Sequence, residues 1–298
     1  MIDINSQLTE TVRQFGDLGR AWLDALPAEI DRLLEQWELT VDGPGPDGSC
    51  SYLLLVRRAE GEQAVLKVSV PHREAEREPD ALRVWNGEGA VRLLELDACG
   101  AMLLERIAPG TRLSMHDDSD AISSIGGALL RRLQKPPPDD HAFEMLRDVC
   151  AEWAANVRER ARTIGSRDDV AIVEEGAELL EFLPAEAREC VLLHGDYHHW
   201  NVLASSREPW LAIDAKPMVG DPVFDSAQFL GNRYGVAAES FGRSIDIFAE
   251  ATGFDRRRML QWILAKTAED ATWGLSTGQT TFAWGTLEYA RYIKELIR

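Results

Sequence analysis

Two hydrophobic periods share this chain, and they divide it unevenly. Before residue 39 the period is helical: Ile30, Leu33, Leu34 and Trp37 recur at i, i+3, i+4 and i+7, an amphipathic stripe within a helical segment 1–36. Leu26-Pro27 is read as the opening of that helix, because proline is tolerated in a first turn. Then the character changes. Residues 43–49, Gly-Pro-Gly-Pro-Asp-Gly-Ser, form a turn-rich loop. Residues 51–56 and 64–70 are two strands joined by the Glu60-Gly61 turn, a hairpin. Residues 72–85 are helical by pattern, with Leu82 and Trp85 on one face. Two further apolar runs, 90–96 and 101–107, flank a turn at 97–100 and complete a small antiparallel sheet, which Pro109-Gly110 ends.

Beyond Leu113 the helical period dominates. Ile122, Ile125, Leu129 and Leu133 mark a helix over 120–133 that stops before Pro136-Pro137-Pro138. Helices are expected over 141–163 and 168–182 and, later, over 236–252, 255–272 and 282–297. Asp221 followed by Pro222 is a helix-opening pair and reads as structural. One stretch interrupts this run. Val191-Leu192-Leu193 is a short apolar segment, residues 194–201 are a polar loop, and two brief strands follow on either side of a turn at 205–209. The sum is a strand-rich first third and a helix-rich remainder carrying one hairpin. The expected division is 1–107 and 108–298, two lobes with a cleft between them.

The hairpin is where chemistry concentrates. Its turn folds the second strand back on the first, so Asp214 returns close to Asn201, with Asp196 in the loop that precedes them. One acid placed to orient an attacking hydroxyl, and an amide and a carboxylate converging on one point, are the parts that phosphoryl transfer from a magnesium nucleotide requires. Lys67 sits inside an apolar strand, where burial opposes its charge unless a partner or a ligand answers it.

Taken together, these residues resemble the protein-kinase-like fold. More narrowly, they resemble the aminoglycoside phosphotransferases, and within them the streptomycin 6-kinase and hydroxyurea phosphotransferase group. His194-Gly195-Asp196 stands where protein kinases have His-Arg-Asp, and Asn201 keeps the Asp-x-x-x-x-Asn spacing. Ile213-Asp214 stands where they have the metal-binding aspartate. Ile213-Asp214-Ala215-Lys216-Pro217 and then Gly220-Asp221-Pro222 are similar to the streptomycin kinase pattern, departing at Ala215 and Pro217.

The resemblance implies an α+β fold with a small-sheet N-terminal lobe and a mostly helical C-terminal lobe. It also implies ATP and Mg2+ as co-reactants. Asp196 would be the catalytic acid–base group, and Asn201 and Asp214 the metal ligands. Lys67 would hold the nucleotide phosphates and Glu78 would hold Lys67, with Glu74 as the alternative. Ser49 would cover the phosphates from its loop, and the backbone of Glu105 to Ile107 would meet adenine. His194 would brace the loop. No long activation segment or Ala-Pro-Glu motif follows Asp214, which favours a small-molecule acceptor. Glu269, Asp270 and Trp273 are candidates to line its pocket.

Composition narrows the alternatives. A net charge of -18 argues against nucleic-acid binding, which needs a basic face. The four cysteines are scattered, without metal-ribbon or disulfide spacing, which suits a reducing cytosol. No signal-peptide pattern opens the chain, and no apolar run approaches the ~20 residues of a membrane span. The expectation is a cytoplasmic enzyme of open oligomeric state. Two rival readings remain. His194, Asp196, His198 and His199 are crowded enough to suggest a zinc or iron hydrolase. A kinase-shaped binding protein without activity is the other.

Overall fold

The structure, a computed structural model, describes residues 4–231 and 238–298. The chain divides into two compact units, Met1–Gly110 and Thr111–Arg298.

The first unit opens with helices α1 (Ser6–Arg13) and α2 (Gly16–Gln36). Helix α2 does not begin at Leu26-Pro27; it runs through Pro27 from Gly16. The buried stripe Leu26, Ile30 and Leu33 explains why. Packing that face against the sheet outweighs the one backbone hydrogen bond that Pro27 cannot donate. The sheet has five strands in the order β1-β2-β3-β5-β4: β1 (Thr40–Pro44), β2 (Ser51–Arg57), β3 (Gln63–Ser69), β4 (Leu93–Leu96) and β5 (Met102–Glu105). All of its pairings are antiparallel.

Strand β1 corrects the expectation that Gly43 and Pro44 belong to a loop. Its register slips between Val41 and Gly43, and a bulged edge strand is where Gly and Pro are admitted. In β2, Tyr52, Leu54 and Val56 alternate inward onto α1 and α2, and Leu66, Val68 and Leu103 join the same core.

Helix α3 covers only Glu78–Trp85, not 72–85; residues 73–77 are a turn. Pro79 lies within the first two positions of the helix, where its missing N–H has no intrahelical partner to lose. The proline therefore starts the helix instead of interrupting it.

In the second unit, strand β6 (Pro109–Arg112), which crosses the division, leads into a short 3-10 turn (Leu113–Met115) and helix α4 (Ser119–Leu133), capped by Asp118. Strand β7 (Glu144–Met145) precedes α5 (Leu146–Ala161). The helix expected from 141 therefore begins five residues later, because 144–145 pair with a strand far along the chain. Helix α6 (Arg167–Ala185) follows, then β8 (Val191–Leu193), β9 (Val202–Ser205), β10 (Trp210–Ala212) and β11 (Met218–Gly220). These make two three-stranded sheets, β10-β9-β6 and β7-β11-β8. The second contains a parallel pair, β7 with β11, that no local pattern announces.

Helices α7 (Phe224–Gly231), α8 (Ala238–Thr252), α9 (Arg256–Ser276) and α10 (Thr280–Ile297) close the chain. The expected start of α8 at Val236 lies outside the described residues. Helix α9 is the hub: it packs against α5, α6, α7 and α10. Trp262, Ile263, Leu264, Ala265 and Ala268 on it are fully buried. Among the described residues no helix is long and apolar enough to cross a membrane.

Candidate active site

The polar loop between β8 and β9 is held by its own backbone from three sides. From below, Asp225 of α7, only 1% exposed, accepts the N–H of His194 at 2.8 Å and of Gly195 at 2.9 Å, one on each carboxylate oxygen. Burial pushes its pKa up to about 7, against the pull of those two donors.

From the side, the Tyr197 hydroxyl donates to the Gly126 carbonyl of α4 at 2.7 Å. Tyr197 is fully buried and stacks on Phe229, whose ring would collide with any Cβ at position 126. From the link between β10 and β11, the Lys216 N–H donates to the His194 carbonyl at 2.8 Å. Gly195 has φ +76°, and a Cβ there would stand 1.9 Å from the Lys216 carbonyl oxygen, so only glycine lets the two segments approach this closely.

His194 is wholly buried with both ring nitrogens engaged. Its Nδ1 accepts the Asp196 N–H at 3.3 Å, and its Nε2 donates to the Ile213 carbonyl at 3.0 Å. This fixes the Nε2–H tautomer by hydrogen-bond assignment. Burial drives its pKa down to about 4, so it is neutral at neutral pH. It is a brace, not a ligand. Among the described residues, no three of His194, Asp196, His198 and His199 bring ligand atoms together. The one such triple among the described residues, Glu29, Asp97 and Cys99 in the first unit, is filled by the Arg32 guanidinium. The rival reading as a zinc or iron hydrolase loses its central ligand, because both nitrogens of the His194 imidazole are engaged.

Asp196 is half-buried between two groups. His198 Nε2 is 3.5 Å from its Oδ1 and Lys216 Nζ is 3.4 Å from its Oδ2. The backbone carbonyl of Asp196 accepts the Asn201 Nδ2 at 3.0 Å, which leaves Asn201 Oδ1 as the acceptor atom for a cation. Strand β10 pairs with β9 so that Ala212 faces Val202, and the Ile213 N–H then donates to the Asn201 carbonyl at 3.0 Å. Asp214 is the next residue. It is exposed and turns out of the strand with φ +61°, a left-handed conformation that aspartate tolerates better than most residues. One amide oxygen and one carboxylate, both hard donors, suit Mg2+ rather than a softer metal.

In the first unit, Lys67 is 5% and Glu78 1% exposed, and Lys67 Nζ donates to both carboxylate oxygens of Glu78, at 2.8 and 2.7 Å. Pro79, by starting α3 at this point, aims Glu78 at the strand. Ser49 is exposed in the link between β1 and β2. The Glu105 N–H donates to the Arg92 carbonyl at 3.0 Å, and its side chain accepts the Arg92 N–H. Ile107 follows β5 and is half-buried.

The three expected acceptor residues on α9 do not form one surface. Glu269 and Asp270 both hold Lys266, Glu269 at 2.9 Å, and Lys266 lies 5.5 Å over the Trp153 ring. Burial works against the Lys266 charge, but Asp270 and Glu269 outweigh it and raise its pKa. These carboxylates answer an internal cation, while Trp273 is 42% exposed.

Sequence reasoning gave no role to Asp225, Tyr197 or Lys216. Lys216 carried a signal, since it stands two residues beyond Asp214. The other two are recognisable only by what they bond across the fold.

A family described as aminoglycoside/hydroxyurea antibiotic resistance kinase matches residues 36–278. The chain is 37% identical over 274 residues to a streptomycin 6-kinase of Streptomyces glaucescens, with 89% of this chain and 88% of that protein aligned. It is also 37% identical over 284 residues to a hydroxyurea phosphotransferase of Kitasatospora aureofaciens, with 94% and 82% aligned. Among solved structures it is similar to the aminoglycoside phosphotransferase APH(4)-Ia, with a TM-score of 0.65 at 15% identity over 90% of this chain and 98% of that one. It is also similar to the choline kinase LicA of Streptococcus pneumoniae, with a TM-score of 0.62 at 13% identity over 91% and 99%. At such identity the likeness speaks for the fold: α+β and protein-kinase-like.

Proposed function

The chain belongs to the aminoglycoside/hydroxyurea antibiotic resistance kinase family and is a small-molecule kinase; from that premise we propose that it moves the γ-phosphate of Mg-ATP to a hydroxyl of an aminoglycoside-like antibiotic such as streptomycin, or of hydroxyurea. The observation that carries the reading is the backbone bond from the Ile213 N–H to the Asn201 carbonyl. It brings residue 213 against residue 201, so that Asp214 follows directly on the residue bonded to Asn201, and this backbone register supports the reading.

In this reading Asp196 accepts or orients the proton of the acceptor hydroxyl as the new O–P bond forms. The His198 and Lys216 groups flanking it hold its carboxylate in one orientation. Asn201 Oδ1 and Asp214 hold the metal, which when bound supplies charge neutralisation between the phosphates. Lys67, steadied by Glu78, takes the nucleotide phosphates, and Ser49 lies in the loop that covers them. Adenine contacts fall to the Glu105 carbonyl and the Ile107 N–H, because the Glu105 N–H is already engaged in the sheet. Glu269 and Asp270 are second candidates for acceptor contact. They act only where an incoming cation competes with Lys266. The four free cysteines fit a reducing compartment, and the reading places the enzyme in the cytoplasm.

The test is ATP consumption across aminocyclitols, hydroxyurea and simple alcohols, with Asp196→Ala as control. The variant is expected to lose transfer while keeping ATP affinity, since Asp196 acts in the chemical step. Weakened ATP binding with turnover intact would contradict that role.

A further inference from the structure

The loop that carries Asp196 ends on an aromatic side chain that the phosphoryl-transfer scheme does not use. Trp200 lies between Asp196 and Asn201, and its indole is 44% exposed, although Tyr197 and Asn201 of the same loop are buried. Exposure here is not looseness. The His199 ring stacks on the indole with centroids 4.2 Å apart at 29°, and the His198 ring meets it edge-on at 5.6 Å. His198 in turn stands 3.5 Å from the Asp196 carboxylate. A continuous row therefore runs from the reacting acid through one imidazole to an outward-facing indole.

The 3-10 turn after β6 docks on the same place: the Ser114 N–H donates to the His199 carbonyl at 2.9 Å. It sets Met115, 70% exposed, and the exposed Asp117 just beyond. The indole is thus an apolar plate held by His199 on the loop that carries the Asp196 carboxylate, in a chain of net charge -18. A water-exposed indole face attracts cations through its ring quadrupole, and planar cations most effectively. It gains more when the plate is already held still, because less side-chain freedom is lost on binding.

We propose that the surface of Trp200 left uncovered by His199 is the platform on which the phosphate acceptor lies, and that it selects acceptors bearing a planar cation of the guanidinium type close to the phosphorylated hydroxyl. This rests on the kinase reading above and names the acceptor chemistry of that same site. The indole and the carboxylate act together: one holds the flat cation, the other faces the hydroxyl.

The experiment compares wild type, Trp200→Ala and Trp200→Phe in the full chain. Three probes are used: streptomycin, whose cyclitol carries two guanidinium groups, an aminocyclitol bearing amines alone, and hydroxyurea. Acceptor binding is measured by calorimetry without nucleotide, and KM for acceptor and for ATP in turnover. In Trp200→Ala the streptomycin dissociation constant is expected to rise tenfold or more. Trp200→Phe retains most of the affinity, and the ATP KM stays within twofold of wild type in both.

Several results would overturn the inference while leaving the kinase reading standing. Trp200→Ala could bind streptomycin as wild type does, lose all three acceptors equally, or lose ATP and acceptor together. Wild type could also phosphorylate only hydroxyurea or the amine-bearing probe. A wild type that transfers phosphate to none of the probes overturns both.

Discussion

Acidification should withdraw the stability that one neutral side chain, His194, contributes. His194 is fully buried, and its pKa is driven down to about 4 from the ordinary 6.5. In the unfolded chain it takes a proton near pH 6.5; in the folded one it resists until about pH 4. Between those values the unfolded state holds more protons, so stability contributed by neutral His194 is complete above pH 6.5 and drains away as pH falls. From pH 7 to pH 5 the linkage amounts to about 2 kcal/mol. The structure shows what protonation breaks. Nδ1 accepts the Asp196 N–H, and a proton on Nδ1 would set two donors face to face.

The assay is urea unfolding at pH 7 and pH 5, followed by tryptophan emission, since six of the nine tryptophans lie beyond residue 110. His194→Asn keeps an oxygen near the Nδ1 position and does not titrate. Its stability should fall between the two pH values by about 2 kcal/mol less than that of wild type. Other titrating groups are common to both proteins and cancel in the difference. Equal pH slopes for the two proteins would refute the reasoning.

Gly195→Ala would force a Cβ to 1.9 Å from the Lys216 carbonyl at φ +76°. We expect a loss of roughly 2–5 kcal/mol of stability and a fall in turnover of about 100-fold or more as Asp196 is displaced; a wild-type melting curve with wild-type turnover would disprove it. Glu78→Gln keeps the shape but removes the charge that holds Lys67 at 2.7 Å. ATP affinity should weaken by about tenfold, the worth of one charge-assisted hydrogen bond, and calorimetry that finds it unchanged refutes the pairing as a nucleotide device. Asp214→Ala should raise the magnesium concentration needed for half-maximal turnover, and an unaltered magnesium curve removes Asp214 from the metal site.

Much of this was legible in one dimension because it is local. The strands of the first unit announce themselves by alternation, as in Tyr52, Leu54 and Val56. Asp196, Asn201 and Asp214 share a stretch short enough that one turn joins them, so the backbone bond from Ile213 to Asn201 follows from a hairpin of known period. What failed was whatever depended on a distant partner. Pro27 reads as a helix start until the sheet beneath α2 keeps the helix whole. Residues 144–145 read as helix until β11, more than seventy positions away, claims them as a strand. Glu269 and Asp270 read as available acids until Lys266 turns out to occupy both.

The sequence by itself determined the main helices and the strands of the first unit, the kinase-like motif and the identity of its acids. Only the tertiary structure decided which groups are engaged: Asp225 under the loop, Tyr197 on α4, His194 held neutral, Trp200 left facing water. Periodicity and spacing encode bonds between near neighbours. Burial, and with it protonation and availability, is a property of the whole packed chain.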